Sequence, residues 1–153
     1  MHINHGTRCA RAAQHGFTLV ELMIVIAIAA ILANFALVSY KDYQLRSKVS
    51  TGLALASSAK TAVSEYFSTE GRFPETNADA NLAADGTISN NYVESISVGT
   101  VPTSGTITIT YHGFGGIPAG RTLLLIPTGT TGSVKWNCTS DNMRKMYVPS
   151  SCR

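Results

Sequence analysis

The chain has 153 residues, a formal charge of +3 and only 14% charged residues, well below the usual share of about 25%. That length allows one domain with an appendage. Two of the twelve basic residues, Arg8 and Arg11, fall within the first sixteen positions, so the remainder is close to neutral and leaves no nucleic-acid footprint by itself.

The charge deficit is local. Residues 1–16, MHINHGTRCARAAQHG, are polar and basic, and residues 17–38, FTLVELMIVIAIAAILANFALV, contain one charge, Glu21, and one amide, Asn34. As a helix this run covers roughly 33 Å, enough to cross a hydrocarbon core of about 30 Å. An ordinary secretory signal would explain the basic start and the A-x-A-like Ala27-Ile28-Ala29, but the apolar run continues well past that tripeptide. A plain signal anchor explains the length and leaves Glu21 without a purpose, since a carboxylate in a bilayer carries a cost. Positive charge does not orient the segment, because Lys41, Arg46 and Lys48 follow it as closely as Arg8 and Arg11 precede it.

A third reading accounts for Glu21. Gly16-Phe17-Thr18-Leu19-Val20-Glu21, followed by the apolar stretch, resembles the class III processing site of type IV prepilins. The resemblance implies a leader, residues 1–16, removed by a prepilin peptidase that cuts between Gly16 and Phe17 on the cytoplasmic face. It implies N-methylation of Phe17 by the same enzyme, and retention of residues 17–38 as the transmembrane and assembly part of a helix. Glu21 then stands where the family carries its glutamate. Opposite charges about 4 Å apart attract by roughly 4 kcal/mol at an effective dielectric of 20. The new amine on Phe17 of one subunit and Glu21 of another would therefore set axial register, as a buried polar residue does in a coiled coil. The plainer alternative is that Glu21 caps its own helix, whose N-terminus favours negative charge.

Beyond Val38 the pattern becomes amphipathic. Val49, Leu53, Ala56, Val63 and Phe67 mark one helical face, and Gly71 with Pro74 is a natural stop. The spacing predicts a helix from about Phe17 to Thr69, roughly 80 Å long. Type IV pilins commonly carry a glycine within the apolar run and a proline near its end. Here Ala30 and Val38 occupy those places, which predicts a better-bonded helix, with Asn34 and Ser39 as the polar residues able to replace part of the effect.

The head, residues 39–153, combines the second half of the helix with strands. Thr106–Tyr111 alternates strictly, Arg121–Ile126 is a continuous apolar run expected to be more buried, and Ser133–Cys138 places Val134, Trp136 and Cys138 on one side. Ser95–Val101 is a fourth candidate. Glycine-containing loops between the last three favour an antiparallel meander, covered by the helical face, and residues 72–94 read as a long polar connection. The expected class is α+β: a long N-terminal helix packed on a small antiparallel sheet, the αβ-roll that the resemblance implies.

Cys9, Cys138 and Cys152 are the cysteines. In an exported chain the last two read as a disulfide, and in the cytosol they would stay reduced. Trp136-Asn137-Cys138-Thr139 and Tyr147-Val148-Pro149-Ser150-Ser151-Cys152 resemble the disulfide-bounded C-terminal loop of type IVa major pilins, here 138–152. Closing such a loop is worth about 3 kcal/mol, and the loop is a plausible contact for neighbouring subunits or a host surface.

Catalytic chemistry is not expected. His2, His5 and His15 precede the cut, and His112 alone survives it, too few for a zinc site. The glycines from Gly113 to Gly120 lack the following Gly-Lys-Ser/Thr of a phosphate loop. Asn137-Cys138-Thr139 matches a glycosylation triplet by coincidence, and no acidic cluster suggests calcium. No metal or cofactor is implied. Lys135, Arg144, Lys145 and Arg153 gather late in the chain, most simply as a solvated face, or else as a weak DNA-binding surface repeated along a filament.

The chain is thus expected to be a structural subunit of a type IV pilus, a helical homopolymer. It would be inserted in the inner membrane as a single-pass precursor, then handed by the pilus assembly machinery to an extracellular fimbrium. In the family such filaments serve adhesion, twitching motility and DNA uptake. The rivals are a DNA-binding minor pilin and a type II secretion pseudopilin, the latter disfavoured by the paired cysteines.

Overall fold

A computed structural model describes residues 16–130, 132–140 and 142–153. Two helices, α1 (Leu19–Leu55) and α2 (Ser57–Glu70), precede four strands, β1 (Val93–Gly99), β2 (Thr106–Tyr111), β3 (Arg121–Thr130) and β4 (Ser133–Thr139). Single 3-10 turns occupy Asp85–Thr87 and Ser150–Cys152. The chain falls into two compact units, one ending at Val38 and the other running from Ser39 to Arg153.

The first unit contributes the apolar part of α1. Helical bonding runs unbroken through Ala30 and Val38, as expected where neither glycine nor proline interrupts it. Asn34 turns its amide back on the helix and donates to the Ala30 carbonyl at 2.8 Å, which satisfies the one polar group in the middle of the run.

In the second unit α1 and α2 meet at Ala56, whose backbone remains right-handed helical. Ala56 donates to Gly52 at 2.9 Å and Lys60 donates to Ala56 at 3.0 Å, so the ladder of hydrogen bonds passes the junction. α2 ends at Gly71, which adopts φ 69° and donates to Phe67 at 3.0 Å. This is the left-handed cap that glycine adopts without a Cβ penalty. The buried stripe of the two helices is Leu45, Val49, Gly52, Ala56, Ala59 and Val63. Leu53 and Phe67 flank it and are half-buried.

The sheet is a meander in the order β1-β2-β3-β4, every pair antiparallel. Ile107, Ile109 and Tyr111 of β2 point inward, as strict alternation requires. The apolar run at β3, expected to be more buried than its neighbours, is buried on one face only. Leu123 and Leu125 are buried, whereas Leu124 and Ile126 lie half-buried on the opposite face, because helices cover only one side of an antiparallel sheet. β3 also continues to Thr130 instead of ending at Ile126. Beyond the Ile107–Leu125 pair it is bonded to β4 alone, so Pro127 sits where one side of the strand needs no donor.

β1 starts at Val93 and stops at Gly99, two residues earlier at each end than its sequence suggests. Asn90 accepts from the amides of Tyr92 at 2.8 Å and Val93 at 2.7 Å, which starts the strand early. Pro102, with no amide hydrogen, follows the exposed Val101. A register shift between Val93 and Ser95 inserts one residue, so Val93, Ile96 and Val98 all reach the core despite their uneven spacing.

The segment between α2 and β1 is more than a polar connection. Asn77 is only 7% exposed. Its amide donates to the carbonyls of Ala83 at 2.9 Å and Ile96 at 3.0 Å and accepts from the amide of Val98. One side chain thus satisfies two backbone groups of β1, the Ile96 carbonyl and the Val98 amide, as a neighbouring strand would. A few residues away Thr76 and Asp79 cap one another. The Asp79 carboxylate accepts from the amides of Glu75 at 3.1 Å and Thr76 at 3.0 Å, and the Asp79 amide donates to the Thr76 hydroxyl at 3.2 Å. The Thr76 side chain and then the Glu75 amide hold the Asp79 carboxyl below its ordinary range.

Candidate functional site

At the start of α1, Thr18 and Glu21 form a capping box. The Glu21 carboxylate accepts from the Thr18 amide and from its hydroxyl, both at 2.9 Å, while the Glu21 amide donates to the Thr18 hydroxyl at 3.2 Å. Helical structure therefore begins at Leu19 and leaves Gly16 and Phe17 outside it. Thr18 was the missed partner here. The Thr-x-x-Glu spacing is a readable signal, and the alternative of a self-capping Glu21 already contained half of it.

The side chains from Phe17 to Val38 are exposed, with Phe17 at 87% and Leu19 and Phe35 at 74% each. A contiguous apolar surface of this kind is far beyond the few hundred Å² that soluble monomers tolerate and marks an interaction surface. The helical stretch that begins with it, Leu19–Glu70, is long and apolar enough at its start to cross a membrane.

At the other end of the chain Cys138 and Cys152 are bonded, with Cα atoms 4.4 Å apart. The enclosed segment is also stitched to β3. Asn142 accepts from the Thr122 amide at 2.9 Å through its side chain and from Arg121 Nη1 at 2.6 Å through its carbonyl, and Ser140 donates to the Thr122 carbonyl at 2.7 Å. Met143, Val148 and Cys152 turn inward onto the core. Trp136 and Tyr147 are half-buried against it, and the Lys60 ammonium lies 5.6 Å from the Trp136 ring centre.

The basic residues singled out in the sequence do not all meet. Arg144 and Lys145 are exposed neighbours in the disulfide-bounded loop. Lys135, also exposed, pairs with Thr128 near the far end of β4. Six strand residues separate that point from Thr122, where the loop is anchored, which is about 20 Å. Arg153 turns away and donates to the Val148 carbonyl at 3.1 Å. His112 is exposed at the end of β2, and among the described residues no cluster of histidine, cysteine or carboxylate side chains could hold a metal ion.

A long apolar helix whose second half is packed on a four-stranded antiparallel meander, closed by a C-terminal disulfide loop, is the architecture of a filament subunit. The chain belongs to the pilin family: residues 45–153 match the pilin (bacterial filament) model, and residues 11–33 match the prokaryotic N-terminal methylation motif. It is 48% identical to the fimbrial protein EcpC of Eikenella corrodens over 143 residues, covering 92% of this chain and 91% of that one. It is 42% identical to a type IV major pilin protein PilE1 of Neisseria gonorrhoeae over 159 residues, covering 92% and 94%. A fimbrial protein of Neisseria meningitidis serogroup A / serotype 4A is 42% identical over 127 residues, covering 82% and 72%. The chain is a type IV pilin subunit with an N-terminal methylation leader.

Proposed function

We propose that this subunit is cut between Gly16 and Phe17 by a prepilin peptidase, methylated on Phe17, and polymerised into a type IV pilus by burial of residues 17–38 between copies. The observation that carries this reading is the uninterrupted exposed apolar surface from Phe17 to Val38, which requires lipid before assembly and other helices after it. Such a segment makes an inner-membrane precursor and an extracellular fimbrium the two resting places of the chain. Glu21 accepts both Thr18 hydrogen bonds on Oε2, which leaves Oε1 to accept others. Its second task is to receive the Phe17 amine of a neighbouring copy and fix the stagger between helices. Adhesion, twitching motility and DNA uptake are the activities such a filament would serve. Mass spectrometry of the purified filament subunit tests the reading. A chain starting at methylated Phe17 supports it, and a start after Ala29 replaces it with ordinary secretion.

DNA capture is the second reading, and the exposed Arg144 and Lys145 favour it. The roughly 20 Å to Lys135 divides that surface. Joint replacement of Lys135, Arg144 and Lys145 by glutamine reduces DNA binding and uptake on this reading, and unchanged uptake excludes it.

A further inference from the structure

The geometry points to a binding site for a carboxylate-bearing sugar, a sialic acid or a uronic acid, in a cleft between the β2–β3 loop and the disulfide-bounded loop of the head. The inference concerns the head alone and does not depend on how the N-terminus is cut or packed.

The cleft has a volume of about 260 Å³, and its walls include Ile117 and Pro118 on one side and Asn142, Arg144 and Tyr147 on the other, with Arg121 of β3. That volume suits a single sugar ring and is below the usual range of about 300–1,000 Å³ for larger ligands. No carboxylate lines it among the described residues, while two guanidinium groups do. Arg121 is half-buried and tethered through Nη1 to the Asn142 carbonyl at 2.6 Å. The tether holds one arm of its planar fork and leaves the rest to pair with a carboxylate in two-point fashion. Arg144 is exposed and supplies a second charge to the same cleft. Pro118 is exposed and Tyr147 half-buried, so the cleft offers a small apolar surface for a ring face and a phenol for hydrogen bonding.

The walls are fixed in place. The β2–β3 loop is closed by reciprocal Phe114–Ile117 backbone bonds of 3.0 and 2.8 Å, and the facing loop is held by Asn142 and by the disulfide. A cleft that keeps its shape when empty loses little entropy on binding. A nucleic-acid backbone is the less suitable occupant, because it needs a row of cations along a surface, and beyond Lys145, exposed beside Arg144, the remaining strand cation of the late cluster, Lys135, is about 20 Å along the sheet.

The test uses the purified full-length chain in detergent, titrated with 3′-sialyllactose, methyl glucuronide, lactose and a 12-base-pair DNA duplex while the Tyr147 and Ile117 signals are followed by NMR. Saturable shifts at millimolar 3′-sialyllactose or methyl glucuronide, with none from lactose, support the site and tell which acid it prefers. Arg144→Gln and Arg121→Gln each weaken that binding at least tenfold, and Lys135→Gln does not. Arg121→Lys, which keeps the charge and loses the fork, serves as a second variant if Arg121→Gln perturbs folding, and it too binds at least fivefold more weakly. Equal shifts from lactose, no shift by either acid at 20 mM, or unchanged affinity in Arg144→Gln overturns the proposal. DNA shifts without acidic-sugar shifts overturn it in favour of phosphate recognition.

Discussion

The Tyr111 hydroxyl donates a hydrogen bond to the Val49 carbonyl across 2.7 Å, and Gly52 is what lets the ring come that close. A Cβ at Gly52 would collide with the hydroxyl and lie 2.8 Å from Tyr111 Cζ and 3.0 Å from Ile109 Cγ2. Tyr111 is fully buried, so neither ring nor helix can yield cheaply. Gly52→Ala gains up to about 1 kcal/mol of helix propensity and incurs overpacking of about 1–3 kcal/mol, so a net loss of stability is expected in urea titration. Tyr111→Phe alone costs about 1 kcal/mol. The double variant should recover part of the Gly52→Ala loss, and strict additivity would show that the collision has been misassigned.

Burial pushes the Tyr111 phenol well above its ordinary range. The folded state therefore holds this proton more tightly than the unfolded state does. Its contribution is fully present below about pH 10, where unfolded tyrosine begins to ionise, and is lost above it at up to about 1.4 kcal/mol per pH unit. Stability measured from pH 8 to 11.5 should fall less steeply in Tyr111→Phe than in the parent. Parallel curves would contradict this.

The capping box and the proposed register contact of Glu21 can be separated by chemistry. Glutamine at the third helical position still completes a capping box but carries no charge. Glu21→Gln should thus leave membrane insertion and the start of α1 intact while cutting filament yield as severely as Glu21→Ala, more than tenfold. If Glu21→Gln assembles normally, the carboxylate is a cap and nothing more. Filament yield by shearing and membrane fractionation of the precursor distinguish these outcomes.

Removing the Asn77 amide strands the Ile96 carbonyl and the Val98 amide in a buried place. Asn77→Ala should destabilise the head by about 2–4 kcal/mol, the desolvation cost of two unpaired groups being about 1–3 kcal/mol each before relaxation. Hydrogen exchange at Val98 should accelerate before that of Ile109, which lies inside the sheet. Unaltered protection at Val98 would refute the clamp.

Cys138→Ser with Cys152→Ser should lower stability by about 3 kcal/mol and release the Ser150–Cys152 turn. The Asn142 contacts to β3 remain, so susceptibility to proteolysis should rise after Tyr147 and much less before Asn142. Cleavage spread evenly through residues 142–153 would count against that division.

Local chemistry was legible where one residue decides the outcome. Gly71 had to end a helix, Ile107, Ile109 and Tyr111 had to share a face, and Gly16-Phe17-Thr18-Leu19-Val20-Glu21 carried the family. The meander of the last three strands followed from the glycine-containing loops between them. What escaped depends on tertiary partners. Gly52 and Ala59 are too small to register as core by hydrophobicity, yet both lie on the buried seam, at Gly52 because Tyr111 and Ile109 of β2 come close. Val93 could not be assigned to the face of Ile96 without knowing of the inserted residue between them. Asn77 looked like any loop amide, since nothing local says that its side chain meets a strand about twenty residues on. Arg121 joined Arg144 only through the fold, while Lys135, nearer to Arg144 in the chain, was carried away by the length of β4.

The position of Asn77 has one consequence for a protein that lives crowded among its own copies. A sheet with an open rim is a template on which the next molecule can add its own strand, and a polymer supplies that next molecule continuously. With the Ile96 carbonyl and the Val98 amide already bonded by Asn77, an incoming strand finds the middle of the β1 rim taken.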